Sequence, residues 1–154
     1  TRFNFMSNER ERIGSKLMDN GVSVFTPLGL NSDIDFAIRT GDGTYIEVIV
    51  RNHKPENGHS FQMNRFRPRP HLFIICITSK EEHWIIPSTV FERFASGAPV
   101  EASWVLNLDP SNPNNQLPER LSVYQERWSL LSNYTSFKST LNDPVALKVR
   151  IAMG

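Results

Sequence analysis

Between Ser7 and Asn20 the apolar residues Ile13, Leu17 and Met18 recur at helical spacing along an otherwise polar segment. Ser7 is suited to capping and Asn20-Gly21 reads as a stop, so the pattern predicts a helix over 7–20. Val22-Ser23-Val24-Phe25 predicts a short strand, ended at Thr26-Pro27 because proline cannot donate to a sheet ladder. After a loop through Ser32 the period changes to two. Ile34, Phe36 and Ile38 point one way and Asp35, Ala37 and Arg39 the other, while Ile46, Val48 and Val50 oppose Tyr45, Glu47, Ile49 and Arg51. Each run has one wholly apolar face. Gly41-Asp42-Gly43 between them predicts a tight antiparallel hairpin, since such a turn needs residues that tolerate positive φ.

Residues 52–70 are polar, proline-containing and without periodicity, which predicts a long exposed loop ending in Arg65-Phe66-Arg67-Pro68-Arg69-Pro70. The apolar stretch 72–78 suits a strand buried on both faces, with Trp84-Ile85-Ile86 as its partner across a turn carrying Lys80-Glu81-Glu82. Pro87-Ser88-Thr89 opens a helix through Phe94, closed by Gly97, and Trp104 to Leu108 forms another strand. Prolines and asparagines mark 109–118 as a surface loop. Pro118 to Leu131 predicts a last helix with Leu121, Tyr124, Trp128 and Leu131 along one side. Val145 to Ile151 alternates weakly, as an edge strand or a tail that orders against a partner. The expected fold is α/β: a single domain over 1–132 with a small mixed central sheet and flanking helices, followed by a C-terminal extension over 133–154.

Composition adds few constraints. The 154 residues carry 17 Lys+Arg against 16 Asp+Glu, a formal net charge of +1, so affinity for phosphate must come from local clustering. The single cysteine, Cys76, sits inside an apolar run, where it reads as a core residue in a reducing cytoplasm. No segment approaches the roughly 18 uninterrupted apolar residues of a membrane span, and the beginning of the sequence lacks a signal-peptide layout. The expectation is a soluble, cytoplasmic protein with no membrane partner. A nucleophile-elbow motif, a Walker loop and a dinucleotide fingerprint are all missing, which leaves triad-hydrolase, nucleotide-hydrolysing and Rossmann functions without support. The histidines at 53, 59, 71 and 83 lack zinc-ligand spacing and read as surface or loop residues.

Candidate chemistry falls in two places. Asp35 and Glu47 are single acids set in very apolar runs, and burying a carboxylate costs several kcal/mol unless it is paired, hydrogen-bonded or metal-bound. With the turn centred on Asp42, Asp35 faces Ile49 directly and Glu47 diagonally, about 7–8 Å away, a gap that one divalent ion can bridge. A solvated face on which Asp35 pairs with Arg39 and Glu47 with Arg51 accounts for the alternation equally well. Ala37, Tyr45 and Ile49 on the same face make it mixed and partly covered. The second place is Arg65, Arg67 and Arg69. At spacing two in a proline-stiffened segment they would contact successive phosphates, with Phe61 or Phe66 stacked on a base. A solubilising loop whose arginines cover apolar surface or pair with Glu81 and Glu82 is the alternative.

The order of these features resembles the core of the PD-(D/E)XK, or restriction-endonuclease-like, nuclease superfamily, with a similar order in Holliday-junction resolvases and Mrr-type proteins. The resemblance rests on a helix ending in Asn20-Gly21, then Val22 to Pro27, Ile34-Asp35-Phe36 and Tyr45-Ile46-Glu47-Val48, and covers residues 7–94. It implies Mg2+ (or Mn2+) bound by the hairpin acids and hydrolysis of phosphodiester bonds in DNA, with Asp35 as the metal-binding aspartate and Glu47 as the (D/E). The family lysine falls on Ile49. Arg51, two residues further on the same face, would then stabilise charge without acting as a base. The resemblance also implies a first-helix glutamate, Glu9 or Glu11, and allows a homodimer, since cutting a duplex takes two sites. The expected function is therefore a metal-dependent DNA endonuclease-like protein, its catalysis weakened or lost with the lysine. Alternatives are a non-catalytic nucleic-acid- or protein-binding module on the same fold, or an interaction protein joined as a homodimer through 133–154.

Overall fold

Helix α1 (Arg2–Asp19) buries Ile13 and Leu17 and leaves Met18 exposed. In the computed structural model, which describes residues 2–29, 31–98 and 102–154, this helix begins at Arg2, so Ser7 lies inside it rather than capping it. It ends where Gly21 takes a φ of +85° and donates to the Met18 carbonyl. Phe36 packs 3.5 Å from where a Cβ would stand at Gly14, which seats α1 on the sheet face that carries Phe36.

Beneath α1 lies the main sheet. Its strands are β1 (Ser23–Phe25), β2 (Phe36–Arg39), β3 (Tyr45–Asn52), β5 (Leu72–Ile77) and β6 (His83–Pro87), in the order β1-β2-β3-β5-β6. β3 is central and runs parallel to β5, and the other pairs are antiparallel, so the sheet is mixed. Every residue of β5 and β6 is buried, which explains why their sequences are apolar runs rather than alternations. His83 is thus a buried strand residue, not a surface histidine.

Residues 52–70 are not a loop. They contain β4 (Ser60–Asn64), which pairs with β8 (Ser103–Asn107), itself paired with β7 (Ser96–Ala98), to build a second, three-stranded sheet. Phe61 and Met63 are buried while Gln62 and Asn64 are exposed, a period-two signal only two residues long and hidden among polar neighbours. The parallel pairing of β3 and β5 demands a crossover, and this segment supplies it. Gly97 does not close α2 (Ser88–Phe94); that helix ends where Ala95 becomes extended. Gly97 belongs to β7, where a Cβ would stand 1.9 Å from the Trp104 ring.

The predicted helix over 118–131 is broken into α3 (Leu117–Arg120), a 3-10 turn at Ser122–Tyr124 and α4 (Ser129–Ser132). Leu121, Tyr124 and Leu131 are buried as its apolar side predicts, but the sheet edge captures the backbone between them. Gln125 bridges to Trp84, and Glu126, at a φ of +52°, donates its N–H to the His83 carbonyl at 2.7 Å. Glu126 Oε1 accepts in return from the His83 N–H at 2.9 Å and lies 2.8 Å from Nδ1. The C-terminal segment is neither strand nor tail. It forms α5 (Tyr134–Phe137) and α6 (Pro144–Ala152), the latter capped by Asp143, whose Oδ1 accepts from the Val145 and Ala146 N–H groups. Tyr134, Leu141 and Leu147 join the same core as Ile13 and Phe73. No helix among the described residues is long and apolar enough to cross a membrane.

Two stability measurements check this architecture. Phe61→Ala lowers unfolding stability by about 3–5 kcal/mol in denaturant titrations, where a residue on an exposed loop would change it by no more than about 0.5. The second concerns Glu126, whose partial burial opposes ionisation but is outweighed by hydrogen bonds from the His83 side chain, the His83 backbone and Trp128, so that its carboxyl is held below the ordinary range. A depressed carboxylate contributes stability that is present above its unfolded value, about 4.3, and is lost as pH falls through the folded value. Glu126→Gln therefore flattens the acid limb of the melting temperature against pH below about pH 4.3 and leaves the alkaline limb unchanged.

Candidate functional site

The hairpin turn sets the geometry. Thr40 and Thr44 close it through a Thr40 N–H to Thr44 carbonyl bond of 2.9 Å, and Gly43, at a φ of +88°, donates to the Thr40 carbonyl at 3.0 Å. Asp42 accepts from the Thr135 and Thr40 hydroxyls and from the Thr44 N–H, which fastens the hairpin tip to α5. The Thr135 hydroxyl foremost, with Thr40 and Thr44, holds the Asp42 carboxyl far below the usual carboxylate range.

Register follows from that turn. Phe36 pairs with Val48, Ala37 with Glu47 and Arg39 with Tyr45, and the Asp35 N–H carries the ladder one step further to the Val48 carbonyl at 2.9 Å. Asp35 thus lies opposite Ile49 and diagonal to Glu47. The same face continues through Glu47, Ile49 and Arg51 on β3 to their partners Leu72, Ile74 and Cys76 on β5.

Both acids are already engaged. Asp35 Oδ1 accepts from Arg10 Nη2 of α1 at 2.8 Å, and its Oδ2 accepts the Val50 N–H at 2.8 Å, standing in for a ladder carbonyl beyond the end of β2. Glu47 Oε1 accepts from Arg69 Nε at 2.8 Å, and Arg69 Nη2 reaches Asp33 Oδ2 at 3.0 Å. The hydrogen bond to Glu47, aided by that carboxylate's charge and then by the hydrogen bond and charge of Asp33, outweighs burial and raises the Arg69 guanidinium above its already high pKa. The partners of these acids are therefore Arg10 and Arg69 rather than Arg39 and Arg51 along the strands. Arg39 lies instead over the Tyr45 ring, 6.0 Å from its centroid.

Arg51 is half-buried and donates Nε to Met63 Sδ at 3.2 Å, next to Cys76 in the β3–β5 register. Burial pushes the Cys76 thiol up, against the weaker pull of Arg51, so the thiol is neutral and inert. Ile49 is buried between Asp35 and Arg51 and offers no polar atom to the site.

Arg65, Arg67 and Arg69 do not project together. Arg65 and Arg67 are exposed, Arg65 at a φ of +53°, whereas Arg69 turns inward. Its backbone is clamped by the buried Ser88, whose Oγ accepts the Arg69 N–H at 3.0 Å and donates to its carbonyl at 2.8 Å. Phe66 is half-buried and meets Phe91 edge-to-face with centroids 5.6 Å apart, and Phe61 is fully buried and has no face to offer a base.

Neither first-helix glutamate reaches the two acids. Glu9 accepts from Arg12 Nη1 at 3.1 Å in a cleft shared with Asn52, His53 and Thr78, and Glu11 is exposed beside Ser15 and Lys16. Among the described residues no three His, Cys, Asp or Glu side chains are placed to share an ion. Asp35 and Glu47 are what remains as carboxylate donors, and a hard divalent cation held by only two carboxylates would complete its shell with water and phosphate oxygens. Glu47 Oε2 carries no protein hydrogen bond among the described residues. Sequence reasoning missed Arg10 and the inward role of Arg69. The spacing of Arg10 one turn before Gly14 was the available signal, because Gly14 packs on Phe36, beside Asp35.

No family model matches the chain, and no curated protein matches it. Among solved structures it is similar to the bacterial homing endonuclease I-Ssp6803I, at 19% identity and a TM-score of 0.60, over 88% of this chain and 93% of that one. A likeness at that identity establishes the fold alone, a mixed sheet with flanking helices, and the chemistry rests with the residues themselves.

Proposed function

We propose that the protein is a metal-dependent DNA endonuclease-like protein of the PD-(D/E)XK kind, acting where the β2–β3 hairpin meets α1. The observation that carries this reading is the register that sets Asp35 and Glu47 diagonally on adjacent strands of a nuclease-type fold. Mg2+ or Mn2+ held by these two carboxylates would supply Lewis-acid polarisation of the phosphate and a bound water of lowered pKa. The chain's own residues do the rest. Asp35 is fixed by the Val50 N–H, so its orientation survives loss of the Arg10 pair. Arg10 and Arg69 neutralise the two acids in the free protein, and such partly exposed pairs contribute only about 0–1 kcal/mol each, so an arriving phosphate and cation displace them readily. Arg51 stays as fixed positive charge against the developing phosphorane. Arg65 and Arg67, exposed on the β4–β5 connection with Phe66 behind them, serve as flanking DNA contacts. The lone buried thiol suits a cytoplasmic setting, and a homodimer would bring a second site to the other strand.

One observation favours a second reading, a non-catalytic DNA-binding module: apolar Ile49 stands where a catalytic lysine belongs, between two acids already paired with arginine.

Melting temperature and plasmid nicking separate the two. On the endonuclease reading, Mg2+ or Mn2+ raises the melting temperature by mass action and supports nicking of supercoiled DNA, and Asp35→Asn and Glu47→Gln each remove both effects. DNA binding with neither a melting shift nor nicking sinks that reading in favour of the module. Ile49→Lys places an ammonium opposite Asp35 and raises nicking on the order of 10²-fold, the factor carried by a single charge-stabilising donor, at some cost in stability.

A further inference from the structure

Two neighbouring grooves lie on either side of the turn that leads into α6. The first, about 150 Å3, is lined by Arg69, His71, Tyr134, Lys138 and Asn142 among others. The second, about 460 Å3, is walled by Arg93, Phe94, Arg120 and Lys148, with Glu119 and Asp143 also on its lining. They share one turn: Leu141 and Asn142 face the first groove, and Asp143, Pro144 and Val145 the second. Helix α2 holds this turn from below, since Thr89 Oγ1 donates to Asn142 Oδ1 at 2.6 Å and Arg93 Nη1 to the Asn142 carbonyl at 3.5 Å.

The cations in the second groove are prepositioned. Phe94 is flanked by the guanidiniums of Arg93 and Arg120, each 4.9 Å from the ring centroid. A guanidinium held over an aromatic face keeps the N–H groups in its plane free for a phosphate, and here Arg93 spends only Nη1, on the Asn142 carbonyl, while the Arg120 side chain has no hydrogen-bond partner among the described residues. Among the described residues Arg93, Arg120, Lys138 and Lys148 form no salt bridge. Of the two acids, Asp143 spends Oδ1 on capping α6, and Glu119 is exposed at the rim. A chain of net charge +1 therefore places five Lys and Arg side chains along two neighbouring grooves, the first of which is bordered by Arg69, the partner of Glu47.

The geometry points to this double groove as the path of a DNA backbone, with phosphates running from Arg69 and Lys138 beside Glu47, past Asn142, to Arg93, Arg120 and Lys148. This rests on the reading of the rim as a DNA-directed site and extends its DNA contacts beyond Arg65 and Arg67. Duplex DNA fits because each of its strands presents one negative charge per roughly 3.4 Å of axis, an anion array long enough to engage both grooves at once. The phosphate nearest Arg69 competes with Glu47 for its guanidinium, so binding along the track also releases the acid for metal.

Fluorescence anisotropy on a labelled duplex, in chelator and over a series of salt concentrations, tests the track. For the unsubstituted protein the logarithm of the affinity falls linearly with that of salt, by about 0.9 per phosphate contacted. Arg93→Gln, Arg120→Gln and Lys148→Gln together weaken binding by about tenfold or more and reduce the slope by about 2–3. Arg93→Lys with Arg120→Lys, leaving Lys148, retains most of that slope, which a merely structural role for the two arginines would not predict. Lys80→Ala, in the turn at the far end of β5, is a one-charge control away from both grooves and leaves the slope as it was. Unchanged affinity and slope in the triple variant, with an unchanged melting temperature, overturns the track while leaving the rim site standing. Failure of the unsubstituted protein to bind DNA overturns both.

Discussion

The rest of the molecule depends on the register of the β2–β3 hairpin. Side chains alternate across a strand, so a slip of one residue would carry Asp35 and Glu47 under α1 and expel Phe36, Ile38, Ile46 and Val48 from the core. Two independent locks prevent that. At one end the Thr40–Thr44 closure, the positive φ of Gly43 and the Asp42–Thr135 contact fix the turn. At the other, the Asp35 carboxylate takes the Val50 N–H in place of a ladder carbonyl. An acid is thus part of the sheet's hydrogen bonding as well as of its candidate chemistry.

Because the register puts two carboxylates on a partly covered rim, their charge must be met. Arg10 comes from the face above and Arg69 from the crossover below, so the acids are balanced by different layers of the fold rather than by neighbours on their own strands. Arg69 is the more consequential of the two. Ser88 at the start of α2 holds its backbone, Glu47 and Asp33 hold its guanidinium, and the same side chain borders the groove that runs toward α6. One arginine therefore links Glu47 and Asp33 to the crossover that carries β4 and to the wall of the groove beside Tyr134 and Lys138.

Much of the main sheet was legible in the residues. The hairpin, the buried β5, its antiparallel partner β6 and the opening of α2 follow from period-two alternation, an apolar run and a proline. Strand β4 was not, because its signal is only Phe61 and Met63, set among residues that also read as a loop. The single helix expected over 118–131 failed because a sequence pattern of buried positions survives a broken axis. Leu121, Tyr124 and Leu131 are all buried, yet Glu126, at a positive φ, gives its N–H to the His83 carbonyl on the outer edge of β6 rather than to a helical carbonyl. The weak alternation over 145–151 concealed a helix whose clearest marker, Asp143-Pro144, lies just outside it.

The candidate site divides along the same line. Local sequence alone determined which two acids share a face, that Ile49 stands between them and Arg51, and that the turn sets them diagonally, because strand pairing across a tight turn is a local property. Which cations meet those acids was decided only by the tertiary structure, since Arg10 and Arg69 arrive from other elements. A side chain's partner in a folded protein is set by packing between layers, and the spacing of residues along one strand carries no record of what lies above or below it.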